Sequence, residues 1–212
     1  MRRRLFLAAL MMVSAGCASA VYDSLERRGV DAKAVLEGRV RDAREDALAA
    51  AAKIDAAAMA LGAATSLDGP ALARQVDAAR AGAQDAAVAA QEVRLSADTV
   101  GASGARFFRE WEEEIALYET AAEREAAATR LKAQGEAHKR LVGALGAANL
   151  RLSPALSLLN EEVAALRKNP TSGVVAKSRA GRIDAAAKAA GDASAALRDA
   201  AAEADRFLAK LK

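Results

Sequence analysis

The side chains that could do chemistry are few, and most of them gather in one stretch of the sequence. Glu112, Glu113 and Glu114 form a run of carboxylates that would suit acid–base work or a hard cation if they converged on one ligand. Consecutive residues of a helix point in different directions, so convergence is not expected. Around them stand Phe107, Phe108, Trp111 and Tyr118, over half of the aromatic residues in the chain. Two readings apply. Phe108, Trp111 and Tyr118 could be a recognition patch for a partner or a lipid headgroup region. The preferred reading makes Phe107, Trp111, Ile115 and Tyr118 the only bulky core, with the glutamates on the wet face. The sole histidine, His138, falls on an apolar seam beside Gln134. A buried polar pair that fixes helix register suits it better than metal or proton transfer. No Gly-rich phosphate loop and no Ser/His/Asp set is found. We therefore expect no catalytic, cofactor-binding or metal-binding residues, no small-molecule substrate and no enzyme.

The elements that must carry these residues are helices. Alanine supplies 61 of the 212 residues, and it is the best helix former because it loses no side-chain entropy. From Leu36 the small apolar residues step by four and three through Val40, Ala43, Ala47, Ala50, Ile54, Ala57, Leu61 and Ala64. That heptad spacing predicts a supercoiled contact line. Ser66-Leu67-Asp68-Gly69-Pro70 ends this run and lets Pro70 open the next. The second seam runs through Leu72, Val76, Ala79, Ala83, Ala86, Ala90, Val93, Ala97, Val100, Gly104, Phe107 and Trp111. After a stutter near Trp111 it continues to Ile115, Tyr118 and Ala122. Gly101, Ser103 and Gly104 mark either a break or a close helix approach, within a helix expected to be continuous but softened.

The third run holds Leu131, Gln134, His138, Leu141, Leu145, Ala148, Leu152, Leu159, Val163 and Leu166, with Ser153-Pro154 expected to kink or restart it. Its boundary with the second run lies between Thr120 and Gln134. Lys168-Asn169-Pro170-Thr171-Ser172-Gly173 is a turn. The last run passes through Ile183, Ala186, Ala190, Ala193, Leu197, Ala200, Ala204, Phe207 and Leu211. The fold class expected is all-α, an elongated antiparallel coiled-coil bundle of about four long helices. A helix of about forty residues is roughly 60 Å long.

The start of the chain has a different composition. Arg2, Arg3 and Arg4 precede an apolar stretch over residues 5–13, too short to span a bilayer. Ser14-Ala15-Gly16-Cys17 then resembles the lipobox of bacterial lipoproteins, although Leu is the commoner residue where Ser14 stands. This divides the chain into a signal peptide over 1–16, a lipidated tether over 17–23 with Cys17 as the lipid-bearing residue, and a helical domain over 24–212. A second reading places cleavage after Ala18-Ser19-Ala20. The resemblance implies the periplasmic side of the bacterial envelope, and Ala18 after Cys17 implies the outer membrane. Arg2, Arg3 and Arg4 also account for the formal charge of +3, so the remainder is neutral and nucleic acid is not an expected partner. The partners expected are the membrane, through the anchor, and a second copy or an envelope protein captured by the weak alanine seams.

From Tyr22 onward the chain resembles an uncharacterised bacterial coiled-coil family, domain of unknown function 2959. Tyr22, Glu26, Gly29, Lys33, Leu36, Arg39, Val40, Ala43 and Arg44 carry the likeness at the start. Phe108, Glu110, Trp111, Glu112, Glu114 and Tyr118 carry it in the middle, and Pro154 and the 166–169 turn also fit. The resemblance implies the helical fold and no catalytic role. The function expected is that of a non-enzymatic, membrane-tethered structural or interaction rod. The alternative is an apolipoprotein-like protein whose helices open onto a lipid surface.

Overall fold

Three of the four long helices begin where the sequence offers a side-chain oxygen to the free backbone N–H groups of a first turn. A computed structural model describes residues 31–211, and Cys17, the leader, the tether and Ala18-Ser19-Ala20 lie outside them. Asp31 caps α1 (Ala32–Ala63), its carboxylate accepting from the Lys33 N–H at 3.1 Å. A single 3₁₀ turn (Ala64–Ser66) follows. Asp68 caps α2 (Gly69–Ala116), accepting from the Gly69 N–H at 2.9 Å, with Pro70 in the first turn. Thr120 opens α3 (Ala121–Arg167) through a reciprocal capping box with Glu123. A short α4 (Gly173–Ser178) precedes α5 (Ala180–Leu211).

The four long helices form a ring in which α1 packs on α2 and α5, and α3 closes the other side by packing on the same two. Chain direction alternates around the ring, so every neighbour is antiparallel. The expected antiparallel helical bundle is therefore the fold observed, with α4 as a short addition that no sequence pattern announced. At roughly 1.5 Å per residue α2 and α3, of 48 and 47 residues, are each about 70 Å long, while α1 and α5 reach about 48 Å. The excess sits at one end. There the α2–α3 hairpin projects past Asp31 and Leu211, so both ends of the described chain lie on the hairpin's side.

All nine seam residues named in α1 and the turn after it are buried, as are all nine named in α5. In α2 the line slips. Ala89 and Ser96 are buried where Ala90 and Ala97 were expected. Adjacent alanines leave the pattern unable to choose between the two registers. Ser96 resolves its own polarity by donating to the Val93 carbonyl at 3.1 Å and by facing the Asp46 carboxyl of α1. The α2 run also stops sooner than expected, because the helix ends at Ala116, leaving Tyr118 in the turn and Ala122 exposed. Pro154 does not restart α3. It stands on the exposed outer face near Leu150, where water can reach the carbonyl that proline leaves unpaired. The bulky core is not the Phe107, Trp111, Ile115 and Tyr118 set. Leu36, Ile54, Leu61, Leu72, Leu141, Leu197 and Phe207 are among its largest fully buried members, and of the expected set only Ile115 is buried.

Helix axes come close where the seam is small. A Cβ built on Gly82 of α2 would lie 3.2 Å from the Ala57 Cα of α1. Side chains also reach across to backbone: Gln75 Nε2 donates to the Ala60 carbonyl at 2.8 Å, and Ser194 Oγ to the Ala51 carbonyl at 3.4 Å. Such bonds use the second lone pair of a carbonyl already in its own helix ladder. They index one helix against the next at a resolution that alanine contacts lack.

Burial divides the leucines by consequence. Leu197→Ala, at a fully buried seam position, should cost about 2–5 kcal/mol. Leu150→Ala, at an 80% exposed position, should change stability by no more than about 0.5 kcal/mol. Urea denaturation midpoints of the two variants measure the contrast.

Candidate functional site

The richest cluster of side chains stands where the hairpin leaves the four-helix body. A chain of rings crosses three helices there. Trp111 packs on Phe107 at a centroid distance of 5.5 Å, Phe107 on Phe108 at 5.0 Å, Phe108 on His138 of α3 at 5.4 Å, and His138 on Phe207 of α5 at 5.7 Å. These separations suit edge-to-face and tilted aromatic packing. Phe207 is the member that the sequence showed only as one more seam position.

Gly104 makes room for this arrangement. A Cβ at that position would fall 2.1 Å from His138 Nε2 and 2.3 Å from Cε1. Of the two roles open to the Gly101/Ser103/Gly104 stretch, close approach is the one adopted by Gly104, and α2 continues through it unbroken. The imidazole slides over the glycine until Nε2 is 3.1 Å from the Val100 carbonyl. A carbonyl only accepts, so Nε2 carries the proton and the ring is in the Nε2–H form when neutral. Burial depresses the His138 pKa below its ordinary value, and the bond to the Val100 carbonyl offsets this only in part.

Gln134 does not pair with His138. Each reaches a different helix: Gln134 Nε2 donates to the Lys210 carbonyl at 3.1 Å, one of the last carbonyls of α5 that lack an intrahelical donor. Its Oε1 is buried and has no hydrogen-bond partner among the described residues. An acceptor left in that state costs about 1–3 kcal/mol.

Phe108 turns inward onto His138, Trp111 is half-buried against Phe107, and Tyr118 lies in the turn after α2 with its hydroxyl 3.3 Å from the Glu114 carboxylate. No ring contact joins Tyr118 to the other two among the described residues. Glu112, Glu113 and Glu114 are all exposed, and Glu110 pairs with Arg106 at 2.6 Å. Among the described residues no group of three or more His, Cys, Asp or Glu side chains is placed to hold a metal ion.

The opposite end is held by polar contacts that sequence reading missed. Glu162 is buried and receives two hydrogen bonds from Arg179, at 2.6 and 2.8 Å, and one from Arg182 at 2.8 Å. Burial alone would raise its pKa, but the two guanidiniums outweigh that and hold the carboxyl below its usual range. Asp68 ties the two turns together by accepting from the Gly69 and Gly173 N–H groups at 2.9 and 2.8 Å. The Asp68–Gly173 pairing, 105 residues apart, has no local pattern to announce it, and Glu162 meets its arginines 17 and 20 residues on, across the turn rather than at a helical spacing.

The glycines give a sharp contrast. Gly104→Ala should lower stability by about 1–3 kcal/mol, because the added methyl overpacks the His138 site. Gly101→Ala meets open space and should raise stability by about 0.4–1 kcal/mol. Chemical denaturation of both variants checks the pair. The histidine adds a pH dependence. With the folded pKa depressed from 6.5, the unfolded chain binds its proton first as pH falls, so stability is full above about pH 6.5 and declines below it. His138→Gln should flatten that part of a stability–pH curve, leaving the lower-pH loss due to the carboxylates.

No curated protein and no solved structure matches the chain. The segments that suggested a family by resemblance, at the start of α1, around Trp111 and at the end of α3, all fall within one continuous match. The model of the family described as Protein of unknown function (DUF2959) covers residues 21–211, and the chain belongs to that family.

Proposed function

We propose that this protein is a non-enzymatic, membrane-tethered rod on the periplasmic side of the bacterial envelope, anchored at the outer membrane through Cys17. The observation that carries the reading is the polarity of the bundle. Asp31, where the described chain begins, stands at the same end as Leu211 and the α2–α3 hairpin, while the 3₁₀ turn and α4 mark the far end. A chain lipidated at Cys17 would present a hairpin end toward its anchor and a polar-clamped end outward. Several acyl chains on one cysteine would hold it stably, since a single chain gives only marginal binding. Long antiparallel helices of this kind suit spacing or scaffolding of envelope components.

A second reading, that the helices open onto a lipid surface, has its own support. The helical stretches Ala32–Ser66 and Ala121–Arg167 are long and apolar enough to cross a membrane by length and composition. Against it stands a polar surface without a Lys or Arg excess, which gives anionic lipid little to attract.

A fatty-acid probe fed to growing cells should label the wild-type protein and fail to label Cys17→Ser, with the variant moving to the soluble periplasmic fraction. Wild-type protein that takes up no label would remove the anchor. Strong binding of the unlipidated Cys17→Ser protein to phospholipid vesicles would favour the second reading.

A further inference from the structure

The outward face of α3 differs from the outward faces of its neighbours. Exposed positions on α1 and α5 carry charge at intervals, Arg41, Glu45 and Lys53 on one and Lys188, Asp192 and Asp199 on the other, as the wet side of an amphipathic helix should. Along α3, Arg151 is the one charged residue between Arg140 and Glu161. Gly143, Ala147, Leu150, Pro154 and Ser157 are all exposed there, Leu150 to 80%. The helix holds an apolar stretch of membrane-spanning length and composition that is mostly unburied. The five exposed residues step by four and three, and Arg140 and Glu161 continue the same steps at either end. That makes a second heptad line beside the buried Leu141, Leu145, Ala148 and Leu152, with no helix among the described residues packed on it.

We propose that this face pairs with the same face of a second copy, α3 against α3 and antiparallel, about a two-fold axis between Leu150 and Arg151. Charge selects both the occupant and the direction. Arg140 and Glu161 stand three heptads apart, about 32 Å along the helix, and equidistant from that axis. Antiparallel copies therefore set each Arg140 against the partner's Glu161, whereas parallel copies set arginine against arginine and glutamate against glutamate. Glu136 introduces no conflict, because Lys139 already holds it at 2.9 Å. Glu161 meets Arg182 only loosely, at 3.6 Å with both side chains exposed, so it is open to a second arginine. Arg151 and Pro154 fit the same axis. Pro154 deprives the Leu150 carbonyl of its helical donor, and the partner's Arg151, lying opposite Leu150, brings N–H groups to replace the water that pairing displaces. Gly143 and Ala147 let two backbones approach closely, the device already used inside the bundle at Gly82 and Ala57. A lipid surface would be better served by bulky apolar residues with a basic rim, and this face offers one strongly exposed leucine among small residues. The pairing asks nothing of Cys17, so it stands or falls separately from the anchor.

Full-length protein carrying Cys17→Ser provides the test. Sedimentation equilibrium at high micromolar concentration should give twice the 21.9 kDa mass of the chain. Leu150→Lys should return it to the monomer while helical content by circular dichroism stays constant. Arg140→Glu and Glu161→Arg should each weaken the dimer about tenfold, since two ion pairs per dimer become repulsive, and combining the two should restore it. Oxidation should join Leu150→Cys copies across the axis and leave Gly143→Cys copies, about 22 Å apart along the helices, unjoined. A monomer at every concentration overturns the proposal, and so does a dimer indifferent to Leu150→Lys. Equal closure of the two cysteine variants overturns the antiparallel arrangement. Binding of a monomeric protein to phosphatidylcholine vesicles, abolished by Leu150→Lys, overturns it too and assigns the face to lipid.

Discussion

The structure depends on how closely helix backbones can approach when the residues between them are alanine and glycine. Each methylene that a seam alanine lacks relative to leucine forgoes about 0.8 kcal/mol of apolar burial. A bundle built this way gains little from any one contact and must repeat the contact many times. Long helices follow from that requirement, and so does the near-contact of Gly82 with the Ala57 backbone. Intrinsic helix propensity, highest for alanine, supports each helix where packing contributes least.

Small seams leave a second difficulty, because a smooth surface of methyl groups does not define one register. Polar and aromatic side chains supply the definition. His138 over Gly104, Ser194 on the Ala51 carbonyl, Gln75 on the Ala60 carbonyl and Gln134 on the Lys210 carbonyl each fix one helix against another. At the far end Glu162 and its two arginines do the same work with charge. A buried ion pair is a weak contributor to stability but is costly to break, because one partner is then left buried and charged. The specificity of the bundle thus resides in a handful of residues set into a repetitive background.

This division explains what was legible in the sequence. Seams in α1 and α5 were readable because Leu36, Ile54, Leu61, Ile183, Leu197 and Phe207 punctuate the alanines at heptad spacing. In α2, Ala89-Ala90 and Ser96-Ala97 offer two small residues at each step, and the pattern chose the wrong one. The end of α2 was hidden because no Gly-Pro pair marks it, although the Thr120 to Glu123 capping box was present as a local cue. Pro154 misled because proline is judged by the hydrogen bond it removes, and on an exposed face water replaces that bond. His138 was correctly read as a seam histidine, but its partners were not. Gly104, Val100 and Phe207 lie on other helices, and nothing local links them. Membership of the DUF2959 family was legible from the Tyr22 to Arg44 and Phe108 to Tyr118 stretches and matches the chain over residues 21–211.

The most direct test of the close alanine seam is a disulfide across it. A Cβ on Gly82 would stand 3.4 Å from the Ala57 Cβ, just under the span of about 3.5–4.5 Å usual in a disulfide, so a small outward shift closes the bond. In a Cys17→Ser background, Ala57→Cys with Gly82→Cys should oxidise in air to an intramolecular bond, seen as faster migration on a non-reducing gel. The pair displaced by one residue, Ala58→Cys with Gly82→Cys, should remain reduced. Failure of the first pair to close, or equal closure of both, would contradict a tightly apposed seam in a single register.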